Sequence, residues 1–212
     1  MTFGKIAAFA LPVLIGAGCV NLGTEKNAAA ESMRATFTPE VKIARSALAA
    51  VADSVKIRSF RIMPPCDARS FVRMRKDGQC VTDYYASWID SPAPLFEAQL
   101  ENALRDSGLF EKVYDSRVPL QARYLIDAVL TVCRIDERPS RPAAITEMRI
   151  ILSENLPRPA ANASSSAIDA MSQETLEDVS PREMARGINA SLSKTVEALI
   201  GKLEKSLPKK TE

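Results

Sequence analysis

Apolar and polar residues alternate over residues 55–63, and this pattern predicts a β-strand. Val55 and Ile57 alternate with a lysine and an arginine, as expected when successive side chains point to opposite faces of a sheet. The apolar phase then moves by one position to Phe60, which predicts a bulge near Ser59. A proline pair follows and ends the strand.

The same kind of pattern predicts six further strands, over residues 34–38, 71–75, 80–86, 109–114, 124–135 and 145–154. The second and third of these flank Asp77-Gly78, a strong signal for a hairpin. Residues 124–135 are apolar at nearly every position, as expected of a central strand. Residues 145–154 alternate instead, which predicts a half-exposed strand antiparallel to the central one.

Two segments carry apolar residues at three- and four-residue steps, which predicts amphipathic helices. The first begins at Ser91-Pro92 and ends at Gly108, with capping residues at both ends. The second, over residues 180–207, opens with a Ser-Pro-Arg-Glu capping box and is the longest element. Residues 41–53 are weakly helical, 157–167 form a loop, and 168–178 are either strand or coil. Together the patterns indicate a mixed α/β domain.

The N-terminus has the pattern of a signal peptide. A single lysine, Lys5, precedes an apolar run over residues 6–15, and small residues follow before Cys19. The run is about half the ~20 residues that a membrane-spanning helix needs. A cysteine directly after small residues resembles the lipobox of bacterial lipoproteins, in which the signal peptide is cleaved before the cysteine and the cysteine is acylated. Cys19 is therefore the predicted lipidation site. The alternative is an ordinary signal peptide in which Cys19 has no role.

The lipoprotein interpretation divides the chain into four parts. These are the signal peptide (1–18), a lipid-anchored flexible tether (19–35), one periplasmic α/β domain (36–208) and a charged tail (209–212). Val20 follows the acylated cysteine, and the sorting rule of enteric-type bacteria then predicts anchoring at the periplasmic face of the outer membrane. Acyl chains anchor firmly because each buried CH₂ adds about 0.8 kcal/mol.

Composition excludes several functions. The chain has 212 residues, a formal net charge of +2 and no histidine, which excludes Ser-His-Asp and Cys-His catalysis and imidazole metal ligands. The sequence contains neither the P-loop pattern Gly-x-x-x-x-Gly-Lys-[Ser/Thr] nor the dinucleotide-binding pattern Gly-x-Gly-x-x-Gly. The near-zero charge provides no general attraction for nucleic acid. We expect no catalytic residues, no cofactor, no metal and no nucleic-acid partner.

Three cysteines remain after Cys19. In an oxidising periplasm a pair is expected to close. Cys66 follows the first long strand and Cys80 starts the second arm of the hairpin, so Cys66–Cys80 is the predicted disulfide, closing a short loop. Cys133 is then a free thiol in the central strand.

The middle of the chain resembles a known family. The segment from Asp83 through Trp88 to Pro92, with Ser-Gly-Leu-Phe-Glu-Lys-Val at residues 107–113, is similar to the ABC-type transport auxiliary lipoproteins, which include the PqiC-like proteins. Thr-Phe-Thr-Pro at residues 36–39 resembles the short strand that follows the tether in that family. The resemblance implies a three-layer α/β/α fold around a small mixed sheet with a long C-terminal amphipathic helix.

The function that the resemblance implies is non-enzymatic. The family serves ABC transport systems for lipids or other hydrophobic molecules, of the MCE, Mla or Pqi type. Its partners are an MCE-domain protein, a permease and an ATPase, and a homo-oligomer is compatible with it. The alternative is an envelope-biogenesis or cell-wall-synthase accessory lipoprotein, and a carboxylate enzyme comes third.

The partner-interface candidates are Tyr84, Tyr85 and Trp88, since tyrosine and tryptophan are enriched at interfaces. The other interpretation is that these aromatics cover the first helix in the core.

Overall fold

The structure is a computed structural model that describes residues 35–43, 51–155 and 165–207. These residues belong to one compact unit that spans residues 33–212. The signal peptide, Cys19, nearly all of the tether, most of the 157–167 loop and the 209–212 tail lie outside the described residues.

Eight strands and two helices make up the described fold. In chain order they are β1 (Ala35–Phe37), β2 (Ala52–Ile62), β3 (Ser70–Met74), β4 (Cys80–Trp88), α1 (Pro92–Ser107), β5 (Phe110–Tyr114), β6 (Tyr124–Asp136), β7 (Ala143–Glu154), β8 (Ser165–Thr175) and α2 (Pro181–Ser206). The mixed α/β class, the strand positions and the long C-terminal helix are as predicted. The weakly helical segment is not confirmed, because residues 41–43 are irregular, 44–50 lie outside the description and Ala52 already begins β2.

The sheet is organised around β6. One edge of β6 pairs with the antiparallel β7 along its whole length, and β8 continues beyond β7. The other edge pairs with two parallel strands in succession, first β2 and then β3. From β2 the sheet continues to β5, and from β3 it continues through β4 to β1. The predicted central strand is thus the point from which the sheet branches.

Local sequence signals explain the irregular positions. The register between β2 and β6 shifts between Ile57 and Ser59, where the change of apolar phase predicted a bulge. Gly78 in the β3–β4 turn has φ +84°, and Gly108 after α1 has φ +68°. Both are left-handed conformations that favour glycine, so the hairpin and the end of α1 form as predicted.

The segment left open between strand and coil, residues 168–178, is strand as far as residue 175, where β8 ends. The predicted 157–167 loop is wrong at residues 165–167, which begin β8. Ile168 and Ala170 are buried while Asp169 and Met171 are exposed, which is the alternation of a half-buried strand. Pairing with β7 over its full length settles its conformation.

Both helices pack on the same face of the sheet. Thr146 of β7 contacts α2 through Ser191 and Thr195, and the register carries this face across β6 to Ile57 of β2. That isoleucine is fully buried in the same core as the apolar face of α1, namely Phe96, Leu100 and Leu104. The described residues therefore form two layers, one sheet and one helical, and not the expected three.

The polar character of the other face of the sheet explains why no third layer covers it in the described residues. It carries the ion pairs Arg58–Asp127 and Arg149–Asp169, in which both arginines are about half exposed. A helix packed over these pairs would remove them from water, and the desolvation of paired charges is costly. The residues on this face therefore favour contact with solvent.

The capping box expected at α2 does not form. Ser180 is the N-cap residue and Pro181 follows it, but the serine side chain makes no capping hydrogen bond. Glu183 instead accepts hydrogen bonds from the backbone N–H of Glu177 and from Arg186. These bonds hold the pKa of Glu183 low, at about 2, with Arg186 as the main cause. The helix start is stabilised by a neighbouring loop and an ion pair.

Two glycines of α2 provide a matched test of this packing. A Cβ at Gly187 would lie 2.1 Å from Cδ2 of Leu176, which is fully buried, whereas a Cβ at Gly201 meets nothing within 4 Å. We expect Gly201→Ala to raise the free energy of unfolding by about 0.5–1 kcal/mol through helix propensity. Gly187→Ala should lower it by about 1–2 kcal/mol, because overpacking outweighs that gain. Urea unfolding of both variants measures the difference, and equal stabilisation would contradict the packing described here.

Candidate functional site

The three aromatic candidates on β4 separate into two environments. Tyr84 and Tyr85 are 74% and 47% exposed, whereas Trp88 is only 2% exposed. The tyrosines therefore form a surface feature and the tryptophan belongs to the core. We call Tyr84 and Tyr85 the tyrosine pair.

Trp88 joins the β3–β4 hairpin to α1. Its ring lies 4.5 Å from that of Phe71 on β3 and makes an edge contact at 5.0 Å with Phe96 on α1. Phe37 of β1 extends the cluster, with 5.6 Å between its ring centroid and that of Phe71. Such pairs add about 0.5–1.5 kcal/mol each beyond their burial. The interpretation of Trp88 as a core residue is confirmed.

The tyrosine pair departs from strand alternation, because two consecutive side chains are both exposed. Asp83 is the cause. Its Oδ1 accepts hydrogen bonds from the backbone N–H groups of Tyr85 and Ala86, both at 2.8 Å. These bonds turn the backbone locally, so that both rings reach solvent and meet edge to face with centroids 5.2 Å apart.

Asp83 is buried and is held in turn by an arginine. Its Oδ2 accepts from Nη1 of Arg73 at 2.9 Å, and Nε of Arg73 donates to Glu137 at 2.6 Å. Burial acts to lower the pKa of Arg73, but the hydrogen bonds to Glu137 and Asp83 outweigh it and raise that pKa. The arginine stays charged and links the two hairpin arms to the end of β6. The ion pairs of Arg73 with Asp83 and Glu137 therefore fix the backbone beneath the tyrosine pair.

The tyrosine pair presents groups that can bind another molecule. Two phenol rings at a fixed angle supply apolar area and hydrogen-bonding hydroxyls at little entropic cost. No group of three or more Cys, Asp or Glu residues in the described part of the chain is arranged to hold a metal ion. No helix among the described residues is long and apolar enough to span a membrane.

Two open depressions lie elsewhere on the described surface. One, of about 470 Å³, lies between β8 and the end of α2 and is lined by Asp169, Lys202 and Lys205. The other, of about 420 Å³, lies beside Glu40 and Asn189. Neither includes a residue that the sequence singled out.

The predicted Cys66–Cys80 disulfide is not formed in this structure, where Cys66, Cys80 and Cys133 are free thiols. Cys80 is exposed at the start of β4, whereas Cys66 turns inward and its sulfur accepts a hydrogen bond from the backbone N–H of Cys133 at 3.2 Å. Burial raises the pKa of the Cys66 thiol and raises that of Cys133 further. The sulfur of Cys66 therefore contacts the central strand directly.

Comparison with known proteins shows the fold. No family model and no curated protein matches this chain. Among solved structures, protein XCC0632 from Xanthomonas campestris, which is assigned to the family model DUF330, superposes with a TM-score of 0.68 at 15% identity, covering 81% of this chain and 96% of that one. An uncharacterised protein superposes with a TM-score of 0.57 at 11% identity, covering 81% and 100%. At these identities the likeness extends to the fold alone.

Sequence reasoning missed the residues that position the tyrosine pair. Arg73 lies on β3, Asp83 on β4 and Glu137 directly after β6, and only the pairing of β3 with both β4 and β6 brings them together. The available signal was Asp83 itself, an acidic residue at the inward-facing phase of a predicted strand. Its partners could not be identified without the strand order.

Asp83 can be tested with a pair of substitutions. Asp83→Ala removes the acceptor for two backbone N–H groups and one partner of Arg73, and should lower the free energy of unfolding by about 2–3 kcal/mol. Asp83→Asn keeps an oxygen for the backbone bonds and should cost about half as much. Urea unfolding of the two variants beside wild type gives the comparison. Equal stability of all three would mean that Asp83 does not hold the turn.

Proposed function

We propose that this protein is an outer-membrane-anchored periplasmic lipoprotein and a non-enzymatic accessory of an ABC transport system for lipids or other hydrophobic molecules. The observation that carries the proposal is the tyrosine pair, two exposed aromatic rings held at a fixed angle on a strand of a well-packed domain. Such a surface recognises another macromolecule. Acyl groups on Cys19 hold the domain at the membrane.

The residues that suggested the family support this proposal through their positions. Trp88 fills the joint between β4 and α1, Pro92 is the first residue of α1, and Gly108 ends that helix in a left-handed conformation. The motif therefore describes one structural unit, the hairpin and the helix that packs on it. A DUF330 protein of known structure shares the fold. ATP hydrolysis belongs to a separate chain, since this sequence lacks a phosphate-binding loop.

The position of β1 also supports docking at the tyrosine pair. Ala35, sixteen positions after Cys19, begins β1 and pairs in parallel with Ala86 of β4. The chain that arrives from the membrane anchor thus joins the sheet beside the strand that carries Tyr84 and Tyr85. An anchored domain presents this strand within reach of a partner in the same envelope. We propose the MCE-domain protein as that partner.

Lipid anchoring is tested by changing Cys19. Cys19→Ala removes the acyl attachment point, and the protein should move almost completely from the membrane fraction to the soluble periplasmic fraction. Val20→Asp is the matched control, because it keeps the acylated cysteine and should stay with membranes. Fractionation on a density gradient, with mass analysis of the N-terminal peptide, gives the readout. Membrane association of Cys19→Ala at the wild-type level would exclude the anchor.

The docking surface is tested with a double substitution. Tyr84→Ala with Tyr85→Ala should reduce the MCE-domain protein that co-purifies from membranes by at least about tenfold, since aromatic residues dominate interface energetics. Tm should stay near the wild-type value because the side chains are exposed. Met171→Ala is the control: its side chain is 66% exposed on the uncovered face of the sheet, and it should retain the partner.

Two results would overturn the proposed partner. One is undiminished recovery of the MCE-domain protein with the double variant. The other is recovery of a cell-wall synthase in its place, which would favour the envelope-biogenesis function.

A further inference from the structure

The edge of β6 that pairs with β2 and β3 contains a gap. Pairing with β2 ends where Ile62 lies opposite Leu130, and pairing with β3 resumes at Ile135. Between these points residues 131–134 have no described strand partner on that edge. The gap lies at the branch of the sheet, where β2 leads to β5 and β3 leads to the hairpin.

The turn that connects β2 to β3 fills this gap. Met63 donates its backbone N–H to the carbonyl oxygen of Leu130 at 3.0 Å. The sulfur of Cys66 then accepts the backbone N–H of Cys133 at 3.2 Å. A thiol therefore takes the place of a strand carbonyl as partner of β6.

Cys66 and Cys133 are direct neighbours in the fold. The Cys66 sulfur lies 3.2 Å from the amide nitrogen of Cys133. Adding the covalent distances on each side places the two Cα atoms at most about 7.5 Å apart, and closer for any bent path, beside the usual range of roughly 4.4–6.8 Å for disulfides. Cys66 and Cys133 are 7% and 5% exposed in one core cluster. Cys80 differs from both because it is exposed.

An arginine lies beside this cysteine pair. Nε of Arg134 is buried and has no hydrogen-bond partner among the described residues. Its positive charge acts to lower the pKa of Cys66, against the larger effect of burial.

We infer that Cys66 and Cys133 form a disulfide in the exported protein, tying the β2–β3 turn to the central strand. The inference takes its oxidising setting from the proposed periplasmic location. The oxidant is a disulfide, either of a thiol–disulfide oxidase or of a small molecule such as oxidised glutathione. The Cys66 thiolate attacks it and releases one oxidant thiol. The Cys133 thiolate then attacks the Cys66 sulfur in the mixed disulfide, which forms the bond and releases the second thiol.

The exchange balances and has a structural consequence. Two cysteine thiols lose two electrons and two protons, and the oxidant's disulfide gains them as two thiols. Because both sulfurs are buried in the folded domain, the exchange takes place before the turn closes on β6. The finished bond fixes the branch of the sheet from which the hairpin with the tyrosine pair departs.

Peptide mapping tests the pairing directly. Trypsin separates the four cysteines onto different peptides, residues 6–26 with Cys19, 62–69 with Cys66, 77–105 with Cys80 and 124–134 with Cys133. The full chain is unfolded, refolded in a glutathione redox buffer, blocked with an alkylating agent and digested without reductant. We expect 62–69 linked to 124–134, with 77–105 alkylated. Refolding in vitro makes this result independent of export and of the transport partner.

Variants give the matched controls. Cys80→Ser should keep the linked peptides, whereas Cys66→Ser and Cys133→Ala should lose them. Reductant should lower Tm by an amount on the order of 10 °C in wild type and Cys80→Ser, and leave it unchanged in the other two. A link between 62–69 and 77–105, alkylation of Cys66, Cys80 and Cys133 together, or a reductant effect that disappears only in Cys80→Ser would overturn the inference.

Discussion

The two-sided pairing of β6 is the constraint on which the rest of the structure depends. One edge is fully used by β7, and the other is divided between β2 and β3. From β2 the sheet continues to β5, beneath α1, and from β3 it continues into the hairpin that carries the aromatic residues. Backbone groups between the two partners still need hydrogen bonds, because unsatisfied buried amides are costly. The β2–β3 turn and its cysteine meet that need.

Polar residues decide how many layers cover this sheet. On the helical side, Thr146 shares hydrogen bonds with Ser191 and Thr195, and all three are fully buried. These bonds give α2 a defined position along β7, since any sliding would leave hydroxyls without partners. On the other side, ion pairs cross the strands in contact with water. Burial of the one set and hydration of the other give two layers in the described part of the domain.

The hairpin shows how a core and a surface are built from one short segment. Trp88 and Phe71 anchor it against α1. Asp83, which is buried and paired with the partly buried Arg73, holds the backbone turn that precedes Trp88. The tyrosine pair is exposed because the turn at Asp83 directs both rings to solvent, so its geometry is set by the residues beneath it. A surface of this kind would lose little conformational freedom in a complex.

The sequence by itself determined the elements, because periodicity, glycine and proline act over a few neighbouring residues. Strand 124–135, the bulge near Ser59, the Gly78 turn and the helix ending at Gly108 all follow from such local effects. Only the tertiary structure decided the number of layers and the burial of Trp88. It also decided which charged residues lie beneath Tyr84 and Tyr85, and the contact of Cys66 with Cys133. Each of these depends on which strands pair with β6. Contacts between residues distant in the chain leave no periodic pattern in the local sequence, so local patterns do not predict them.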